Sequence, residues 1–441
     1  MKTRLSPKFL LTLTLFSLIG QVAWVVENMY LNVFIYNLFS ASAGKISLMV
    51  GASAVSAAVT TVFIGALSDK IGKRKLFMCG GYIFWGISIL GFAFLRVDLL
   101  EKIFPFASAA AIGVAFTIVL DVIMTFFGSS ANDAAFNAWL TDSTSQKNRG
   151  IAEGINSMMP LVAILVVFGG FMAFDLKVPA SWTAIFIIIG VVVTIIGVIG
   201  IFLIKEPPLT PQKESYIKTV VYGFLPKTVK KSPLLYLYLG GFIIFNIAIQ
   251  IFMPYLIIYY ERTLEMSNYV FIMAPAIIIA SVVTVFFGKL YDKRGFKLSC
   301  IISIGLLAIG FSLLFLFTHV LPVFIGSLLM MCGYLSGMAI FGAKIRDLTP
   351  IGKSGMLQGV RIFSQVLVPG VIGPFIGKLV LSGADEIENS DGTFSFLPNE
   401  FIFLAALITI AVLSIYLFTV YMVLLRKRNK AQENPMPHFS A

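Results

Sequence analysis

Long apolar stretches follow one another along the whole chain, and short polar or charged segments separate them. Each stretch has about 20 residues or more, the length that a helix needs to cross the hydrocarbon core of a bilayer. The spanning elements must be helices, because lipid offers an open backbone no hydrogen-bond partners. The pattern predicts twelve spans, at residues 9–39, 46–67, 76–95, 106–139, 150–174, 181–204, 233–259, 269–290, 298–318, 321–343, 355–381 and 400–425.

Composition supports a membrane-embedded chain. Of the 441 residues, 58% are hydrophobic and 12% are charged, whereas soluble domains have roughly 25% charged residues. The sequence therefore predicts an all-α integral membrane protein. The three cysteines, Cys79, Cys300 and Cys332, lie in or beside apolar stretches and form no CxxC pair, so we interpret them as reduced packing residues.

The distribution of basic residues predicts the orientation. On a soluble protein the net charge of +12 would suggest a nucleic-acid partner. Here, if the N-terminus is placed inside, 27 of the 33 Lys and Arg residues fall in inner loops or at inner helix ends. Cytoplasmic loops carry such an excess, so we expect a multi-pass protein of the cytoplasmic membrane with both termini in the cytoplasm and no nucleic-acid partner.

A repeat divides the chain into two halves. Residues 61–74 read TVFIGALSDKIGKR and residues 284–297 read TVFFGKLYDKRGFK, with eight of the fourteen aligned positions identical. Each copy follows the second span of its half. Chance similarity of apolar segments does not readily explain polar residues that match in the same order.

A second match follows the fourth span of each half, between residues 138–156 and 343–361. The shared pairs are Ala138/Ala343, Asp142/Asp347, Thr144/Thr349, Gly150/Gly355 and Gly154/Gly359. The basic segment midway along the chain is interpreted as a linker. We therefore predict two pseudo-symmetric six-helix bundles, residues 1–204 and 233–441, joined by a cytoplasmic linker at 205–232, with a short cytoplasmic tail.

The first repeat resembles a known signature. Its sequence Gly65-x-Leu67-Ser68-Asp69-Lys70-x-Gly72-Lys73-Arg74 is similar to the motif between helices two and three of the major facilitator superfamily. The degenerate second copy is also typical of that family. The resemblance covers the whole chain and implies two bundles around a central polar cavity that opens alternately to either side.

A narrower resemblance concerns the solute. Trp24-x-x-Glu27-Asn28 and the stretch with Asp142, Arg149 and Gly150 are similar to sugar:cation symporters, nearest the glycoside–pentoside–hexuronide and sucrose-transporter-like groups. In the melibiose-type branch, paired aspartates of helix two form a sodium site. Residues 46–67 contain no charge, so the resemblance implies coupling to protons rather than to sodium.

Charged residues inside the membrane are costly, so each is a candidate for function. Asp121 is expected near the middle of the fourth span and could carry a proton. Asp133, twelve residues later, is expected nearer the cytoplasm, either as a second coupling residue or paired with Arg149 or Arg361. Arg361 is a counter-ion to a carboxylate or a ligand of an anionic substrate, and Glu153 is expected in a salt bridge near the inner surface.

Amide side chains occur at helical spacing in the first span of each half. Spacings of three and four place Gln21, Trp24, Asn28 and Asn32 on one helix face, with Glu27 beside it. In the seventh span, Asn246, Gln250 and Pro254 recur every four residues. Amides both donate and accept hydrogen bonds, so these faces suit a hydroxyl-rich solute. The alternative is that they only join helix to helix.

The duplicated loops are interpreted as parts of a gate. The resemblance implies that Asp69 and Asp292 lie near the N-termini of helices eleven and five, which attract carboxylates. The paired glycines at 150/154 and 355/359 would permit close approach there. The predicted gating residues are Gly65, Asp69, Lys70, Gly72 and Arg74 in the first half and Gly288, Asp292, Lys293 and Gly295 in the second.

No enzyme motif competes with a transport function. His319 and His438 lie in no metal-spaced cluster, and no Walker loop is present. We therefore expect no enzyme activity, no cofactor and no metal site. The expected partners are a small-molecule solute, a coupling cation and the bilayer, and the protein is expected to be a monomer.

The sequence favours a secondary transporter of a small polar solute, a sugar or glycoside, coupled to protons. One alternative is a drug/proton antiporter, but Pro160 precedes Leu161 rather than the Gly of the antiporter signature. A non-transporting membrane receptor is a further alternative, against which the intramembrane carboxylates and duplicated loops argue.

Overall fold

A computed structural model of the chain describes residues 5–106, 108–144, 149–206, 221–266, 268–349, 354–388 and 394–433. Helices dominate these residues. The helices of the first half are α1 (Pro7–Phe39), α2 (Ala43–Ile71), α3 (Arg74–Phe92), α4 (Ala109–Ser143), α5 (Arg149–Phe171) and α6 (Pro179–Leu203). Those of the second half are α7 (Pro233–Thr263), α8 and α9 within Val270–Leu316, α10 (Val320–Leu348), α11 (Ser354–Val380) and α12 (Phe401–Glu433).

The helices match the predicted spans. In the described part of the chain, ten are long and apolar enough to cross a membrane. One of the ten, Val270–Leu316, has 47 residues and contains both the eighth and the ninth predicted spans. The fifth predicted span corresponds to α5, whose apolar part, Met158–Phe171, is shorter. The prediction of an all-α membrane protein is confirmed.

Two glycines of the duplicated loop reverse the chain. A straight 47-residue helix would be about 70 Å long at 1.5 Å per residue, over twice the bilayer core. Instead the backbone turns at Gly295, with φ 75° and ψ −176°, which separates α8 from α9. In the first copy, Gly72 has φ 71° and ends α2. A side chain would strain both positions, which explains why glycine stands at the equivalent place in each repeat.

Several helices are interrupted by wider or tighter turns. Such local changes of helix type are frequent at functional sites. In α7, the tight turn begins beside Pro254, which cannot donate a backbone hydrogen bond. The π-helical segments are Val26–Tyr30 in α1, Ser129–Phe136 in α4, Tyr259–Thr263 in α7 and Phe363–Leu367 in α11, and the tighter 3₁₀ turn is Met253–Tyr255 in α7.

Consecutive spanning helices alternate in direction, so the molecule has two ends. We call the end with the N-terminus and the α2–α3 turn the proximal end, and the other the distal end. At the distal end, α1 contacts the second half: the hydroxyls of Tyr30 and Tyr269 lie 3.1 Å apart, and Arg262 donates to Asn37 Oδ1 at 2.7 Å. The Tyr36 hydroxyl donates to the Phe396 carbonyl at 2.6 Å.

Phe396 belongs to a small hairpin between α11 and α12. Its strands, β1 (Glu386–Glu388) and β2 (Phe394–Phe396), pair antiparallel with Glu386 opposite Phe396. The β1 residues are exposed, whereas Ser395 of β2 is buried. The hairpin therefore lies over the distal end of α1.

Helices α2 and α11 pack against each other over much of their length. A Cβ atom placed on Gly51 would lie 3.9 Å from the Val371 Cα atom, and one on Gly359 would lie 3.3 Å from Val62 Cγ2. Small residues permit such close approach of membrane helices. These two helices thus join the predicted first and second bundles, while the division into bundles itself stays a prediction.

Candidate functional site

A buried polar cluster joins α1, α2 and α4. It consists of Glu27, Ser53, Asp121 and Thr125, which are 7%, 9%, 2% and 1% exposed. Thr125 Oγ1 lies 2.8 Å from Glu27 Oε1, to which it can donate, and the Ser53 hydroxyl donates to Asp121 Oδ2. The second carboxylate oxygens, Glu27 Oε2 and Asp121 Oδ1, are buried and have no hydrogen-bond partner in the described part of the chain. The cluster thus holds two carboxyl groups with spare acceptor oxygens.

The register of α1 against α4 places these groups together. Three contacts follow one antiparallel alignment: Trp24 with Gly128, Glu27 with Thr125, and Phe39 with Gly113. Glu27 lies within the π-helical segment of α1, where the wider turn changes the direction of its side chain. The same alignment sets Asn32 at the level of Asp121. Asn32 is 1% exposed, and its Oδ1 also lacks a partner among the described atoms.

Asp133 lies further towards the proximal end, in the π-helical segment of α4. It is half-buried, and Ser129 donates to its Oδ2 at 2.9 Å. It follows Asp121 by twelve residues, about 18 Å along the helix axis. Among the described side chains, Asp133 forms no ion pair with Arg361. Asp133 is therefore a separate carboxyl group, held by a hydroxyl of its own helix.

The amide row of α1 is only partly buried. Asn28 Nδ2 donates to the Trp24 carbonyl at 2.8 Å, and Asn32 Nδ2 donates to the Asn28 carbonyl at 3.1 Å. These bonds keep the three residues on one side of the helix. Asn28 is exposed at mid-helix and Gln21 is half-buried. An exposed amide at this depth is costly against lipid, so Asn28 faces a polar space.

Trp24 contacts α3 and α4. Its ring centroid lies 5.0 Å from that of Trp85, and its Nε1 lies 3.4 Å from Asn132 Oδ1. Asn132 in turn donates to the Tyr82 hydroxyl at 2.8 Å. Trp24 is therefore held between helices, which limits its freedom to stack on a ligand.

The amides of α7 have different surroundings. Asn246 is buried and donates to the Phe242 carbonyl at 2.8 Å. Gln250 is half-buried, and its backbone packs closely against Gly373 of α11. Among the described side chains, no hydrogen bond joins the α7 amides to those of α1. The structure thus does not bring the two amide rows into direct contact.

Arg361 lies at the proximal end of α11. It is half-buried, and its guanidinium lies 3.9 Å from the Cβ position of Gly342 in α10. It forms no ion pair with any described carboxylate. The side chains of Glu153 and Arg149 lie outside the described part of the structure.

The first duplicated loop forms a partly buried ion pair with α4. Arg74 is 6% exposed, and its Nε lies 3.1 Å from Asp142 Oδ2 at the proximal end of α4. Its Nη1 donates to the Ser68 hydroxyl at 2.5 Å. Gly65 approaches Ala134 of α4, and Lys70 is exposed. The side chain of Asp69 is not among those described, so its predicted position at α11 remains a prediction.

The second loop replaces this ion pair with a neutral donor. Tyr291, at the position equivalent to Ser68, donates to Asp347 Oδ2 at 2.5 Å. Asp347 is the repeat partner of Asp142. Asp292 and Lys293 are exposed, and Gly288 has open space around its Cα. Both loops thus contact the aspartate in the last turn of the fourth helix of their half, but with different chemistry.

The Arg74–Asp142 pair gives a first prediction. Asp142→Asn should lower the melting temperature of the purified protein, with a loss of about 1–2 kcal/mol, because the side chains are only 7% and 25% exposed. Asp98→Asn is the matched control. It breaks the Arg96–Asp98 pair, whose side chains are 43% and 56% exposed, and should leave the melting temperature nearly unchanged. Equal effects in the two variants would contradict the prediction.

Sequence reasoning missed Ser53 and Thr125. Both are small hydroxyl residues within apolar stretches, where most such residues only bond the backbone of their own helix. The sequence singled out both carboxylates but gave no signal for the hydroxyls that bind them. In the described part of the chain, no group of three or more His, Cys, Asp or Glu side chains is placed to hold a metal ion.

Comparison with known proteins identifies the fold family. Residues 10–374 match the family described as the Major Facilitator Superfamily. Among curated proteins, no sequence matches the chain.

Solved structures of transporters share the fold. A bacterial homologue of the human lysosomal transporter Spinster, inward-facing and unoccupied, has a TM-score of 0.71 at 14% identity, over 96% of this chain and 99% of that one. The nucleoside transporter NupG has a TM-score of 0.66 at 12% identity, over 93% and 98%. The xylose transporter XylE from E. coli, partially occluded and inward open, has a TM-score of 0.65 at 15% identity. The match covers 93% of this chain and 97% of that one. At these identities the likeness extends to the fold alone.

Proposed function

Because the chain belongs to the major facilitator superfamily, whose members are transporters rather than enzymes, we propose that it is a secondary active transporter. It moves a small polar solute, a sugar or glycoside, across the cytoplasmic membrane by alternating access. Uptake is coupled to protons, and the protein acts as a monomer. Asp121 carries the proton, and Glu27 binds the solute together with the amides of α1 and α7.

The observation that carries this proposal is the pair of buried carboxyl groups. Glu27 Oε2 and Asp121 Oδ1 are buried oxygens without hydrogen-bond partners among the described residues. A charged carboxylate in such a place is costly unless a proton or a ligand neutralises it. A site that favours neutralisation in one state and opens to water in the other can couple proton movement to transport.

The amide side chains support a hydroxyl-rich solute. Asn28 is exposed on the same side of α1 as Trp24 and Asn32, and each amide can donate and accept. Two of the proteins with this fold are named for the hydroxyl-bearing solutes xylose and nucleoside. Asn246 and Gln250 are proposed to complete the site when the bundles move, since they have no direct contact with α1 amides here.

Uptake by purified protein in liposomes tests the proposal. Radiolabelled xylose, sucrose, uridine and the dye ethidium would each be offered under an imposed pH gradient, with and without a protonophore. We expect accumulation of a sugar or nucleoside that the protonophore abolishes. Movement of ethidium alone would favour the drug/proton antiporter instead. Accumulation that is independent of the pH gradient but depends on a sodium gradient would contradict proton coupling.

Orientation gives a second prediction. Small epitope tags inserted at position 215 and after the C-terminus should be accessible only after the membrane is permeabilised, because the basic loops favour the cytoplasm. A tag at position 391, in the acidic segment after α11, should be accessible in intact cells. Antibody labelling with and without permeabilisation measures this, and labelling of position 215 in intact cells would contradict the proposed orientation.

A further inference from the structure

The Thr125 hydroxyl lies between two acceptors. Its Oγ1 is 2.8 Å from Glu27 Oε1 and 2.7 Å from the backbone carbonyl oxygen of Asp121. A threonine hydroxyl has one hydrogen to donate. It can therefore make a full hydrogen bond to only one of these two oxygens at a time.

A second threonine of α4 shows the usual arrangement. Thr117, eight residues earlier, is 0% exposed, and its hydroxyl donates to the Gly113 carbonyl at 2.7 Å. Thr125 makes the same bond to the residue four positions before it. The difference is the carboxylate of Glu27, which competes with the backbone for the Thr125 hydrogen.

We propose that Thr125 is a positioning residue that transmits the state of Glu27 to α4 at Asp121. When Glu27 is ionised, it accepts the Thr125 hydrogen. When a proton arrives on Glu27, the new O–H group donates to Thr125 Oγ1, and the Thr125 hydrogen turns to the Asp121 carbonyl. This inference rests on the proposed function of the two carboxylates.

Among the described groups around Glu27, the Thr125 side chain connects the Glu27 carboxylate directly to Asp121. In α4, the carboxyl groups nearest to Thr125 along the chain are Asp121 and Asp133. The surrounding helices, including α7 beside the Val26–Tyr30 segment, have no Asp, Glu, Lys, Arg or His over residues 46–67, 76–95, 155–171, 179–203 and 233–260. Ser53 of α2 contacts Asp121 and not Glu27. In the described structure, Thr125 is thus the side chain that contacts both the Glu27 carboxylate and the Asp121 residue.

Protons themselves are the probe for the test. The indole of Trp24 lies 3.1 Å from the Cβ position of Gly128, three residues after Thr125, and packs against Trp85. Tryptophan fluorescence of the purified protein in lipid nanodiscs would be followed from pH 5 to pH 9. Because Asp121 is the proposed proton carrier and would titrate as well, all proteins in this test carry Asp121→Asn. We expect a transition in this background that is absent when Glu27→Gln is added.

Three threonine variants distinguish the hydrogen bond of the Thr125 hydroxyl from the packing of its side chain. Thr125→Val keeps the shape but removes the donor that stabilises ionised Glu27, so the midpoint should rise by about one pH unit, a tenfold gain in proton affinity. Thr125→Ser keeps the hydroxyl and should have the same midpoint as the Asp121→Asn background. Thr117→Val, which removes only a backbone bond, should leave the midpoint unchanged.

The outcomes distinguish this inference from the proposed function. A midpoint in Thr125→Val equal to that of Thr117→Val would overturn the role of Thr125, even if uptake remains proton-coupled. A transition that persists in Glu27→Gln/Asp121→Asn would overturn it as well, because the titrating group would be neither of the two carboxyl groups. Uptake in liposomes that is independent of the pH gradient would instead refute the proposed proton coupling, whatever the fluorescence shows.

Discussion

Replacing Asp121 by Asn should abolish accumulation of the solute against its gradient while preserving exchange of solute across the membrane. Asp121 is 2% exposed, Ser53 donates to its Oδ2, and its Oδ1 lacks a partner in the described structure. Asparagine retains nearly the same shape but cannot take up or release a proton. The accumulation ratio under a pH gradient should therefore fall to about one, the value expected without coupling.

Two assays on the same liposomes measure this result. Accumulation requires the carrier to return empty after it has released its proton, whereas counterflow exchanges solute without net proton movement. Asp121→Asn should fail in the first assay and retain counterflow. Asp98→Asn, at an exposed position in the short helix Val97–Ile103 between α3 and α4, should behave as wild type in both.

Glu27→Gln should differ from Asp121→Asn. Glu27 is the proposed solute ligand, so its replacement should impair both accumulation and counterflow. Accumulation by Asp121→Asn under a proton-motive force would show that Asp121 is not the proton carrier. If Glu27→Gln loses accumulation but keeps counterflow, Glu27 rather than Asp121 is the proton carrier.

The sequence predicted the spans and the repeat because their signals are long and redundant. Twenty apolar residues in a row leave few structural alternatives to a spanning helix. Near the end of each signature copy a glycine occurs at the same aligned position, which indicated that the position matters. The structure shows the reason for that duplication: Gly72 and Gly295 have φ of 71° and 75°. It also shows that the eighth and ninth predicted spans meet at one residue rather than across a loop from 291 to 297.

The hydrogen-bond partners of Glu27 and Asp121 could not be predicted from a single sequence. Thr117 and Thr125 occupy equivalent positions in apolar surroundings, and both bond the carbonyl four residues earlier. Only the register of α1 against α4 decides which of them meets Glu27. That register depends on contacts such as Phe39 with Gly113, which join residues far apart in the chain.

The interrupted helix turns were also unpredictable. A periodicity of 3.6 assumes a regular helix, but Glu27 and Asp133 both lie in π-helical segments, Val26–Tyr30 and Ser129–Phe136. There the wider turn changes the face on which a residue lies. Hydropathy does not indicate this change. The sequence alone therefore assigns the face of a polar residue only within the regular parts of α1 and α4.

A disulfide between α2 and α11 should stop transport and release it again on reduction. A Cβ on Gly51 would lie 3.9 Å from the Val371 Cα atom and 4.0 Å from its Cγ2, with no closer atom. Cysteines at these two positions therefore have room and lie near the separation that a disulfide requires. Alternating access needs the two bundles to move apart at one end and then at the other, so a covalent bond between them should reduce uptake by at least about tenfold.

The experiment needs a background without the native thiols. Cys79, Cys300 and Cys332 are free and buried, and would be replaced by serine or alanine. Each single cysteine variant controls for the substitutions themselves. The control is a bridge between Gly91→Cys of α3 and Leu120→Cys of α4, inside the first predicted bundle. The Cγ atom of Leu120, where a cysteine carries its sulfur, lies 4.0 Å from the Gly91 Cβ position, and this bridge should leave transport intact.

Oxidation, uptake and reduction would then be measured on one preparation. Bridge formation is verified by mass spectrometry, and reduction with dithiothreitol should restore uptake by the Gly51→Cys/Val371→Cys protein to the level of its single variants. Full transport with the bridge in place would show that α2 and α11 stay together throughout the cycle, which is incompatible with two bundles that separate along this contact. Inhibition by the α3–α4 bridge as well would show that the first predicted bundle itself flexes, and the rigid-bundle description would then be wrong.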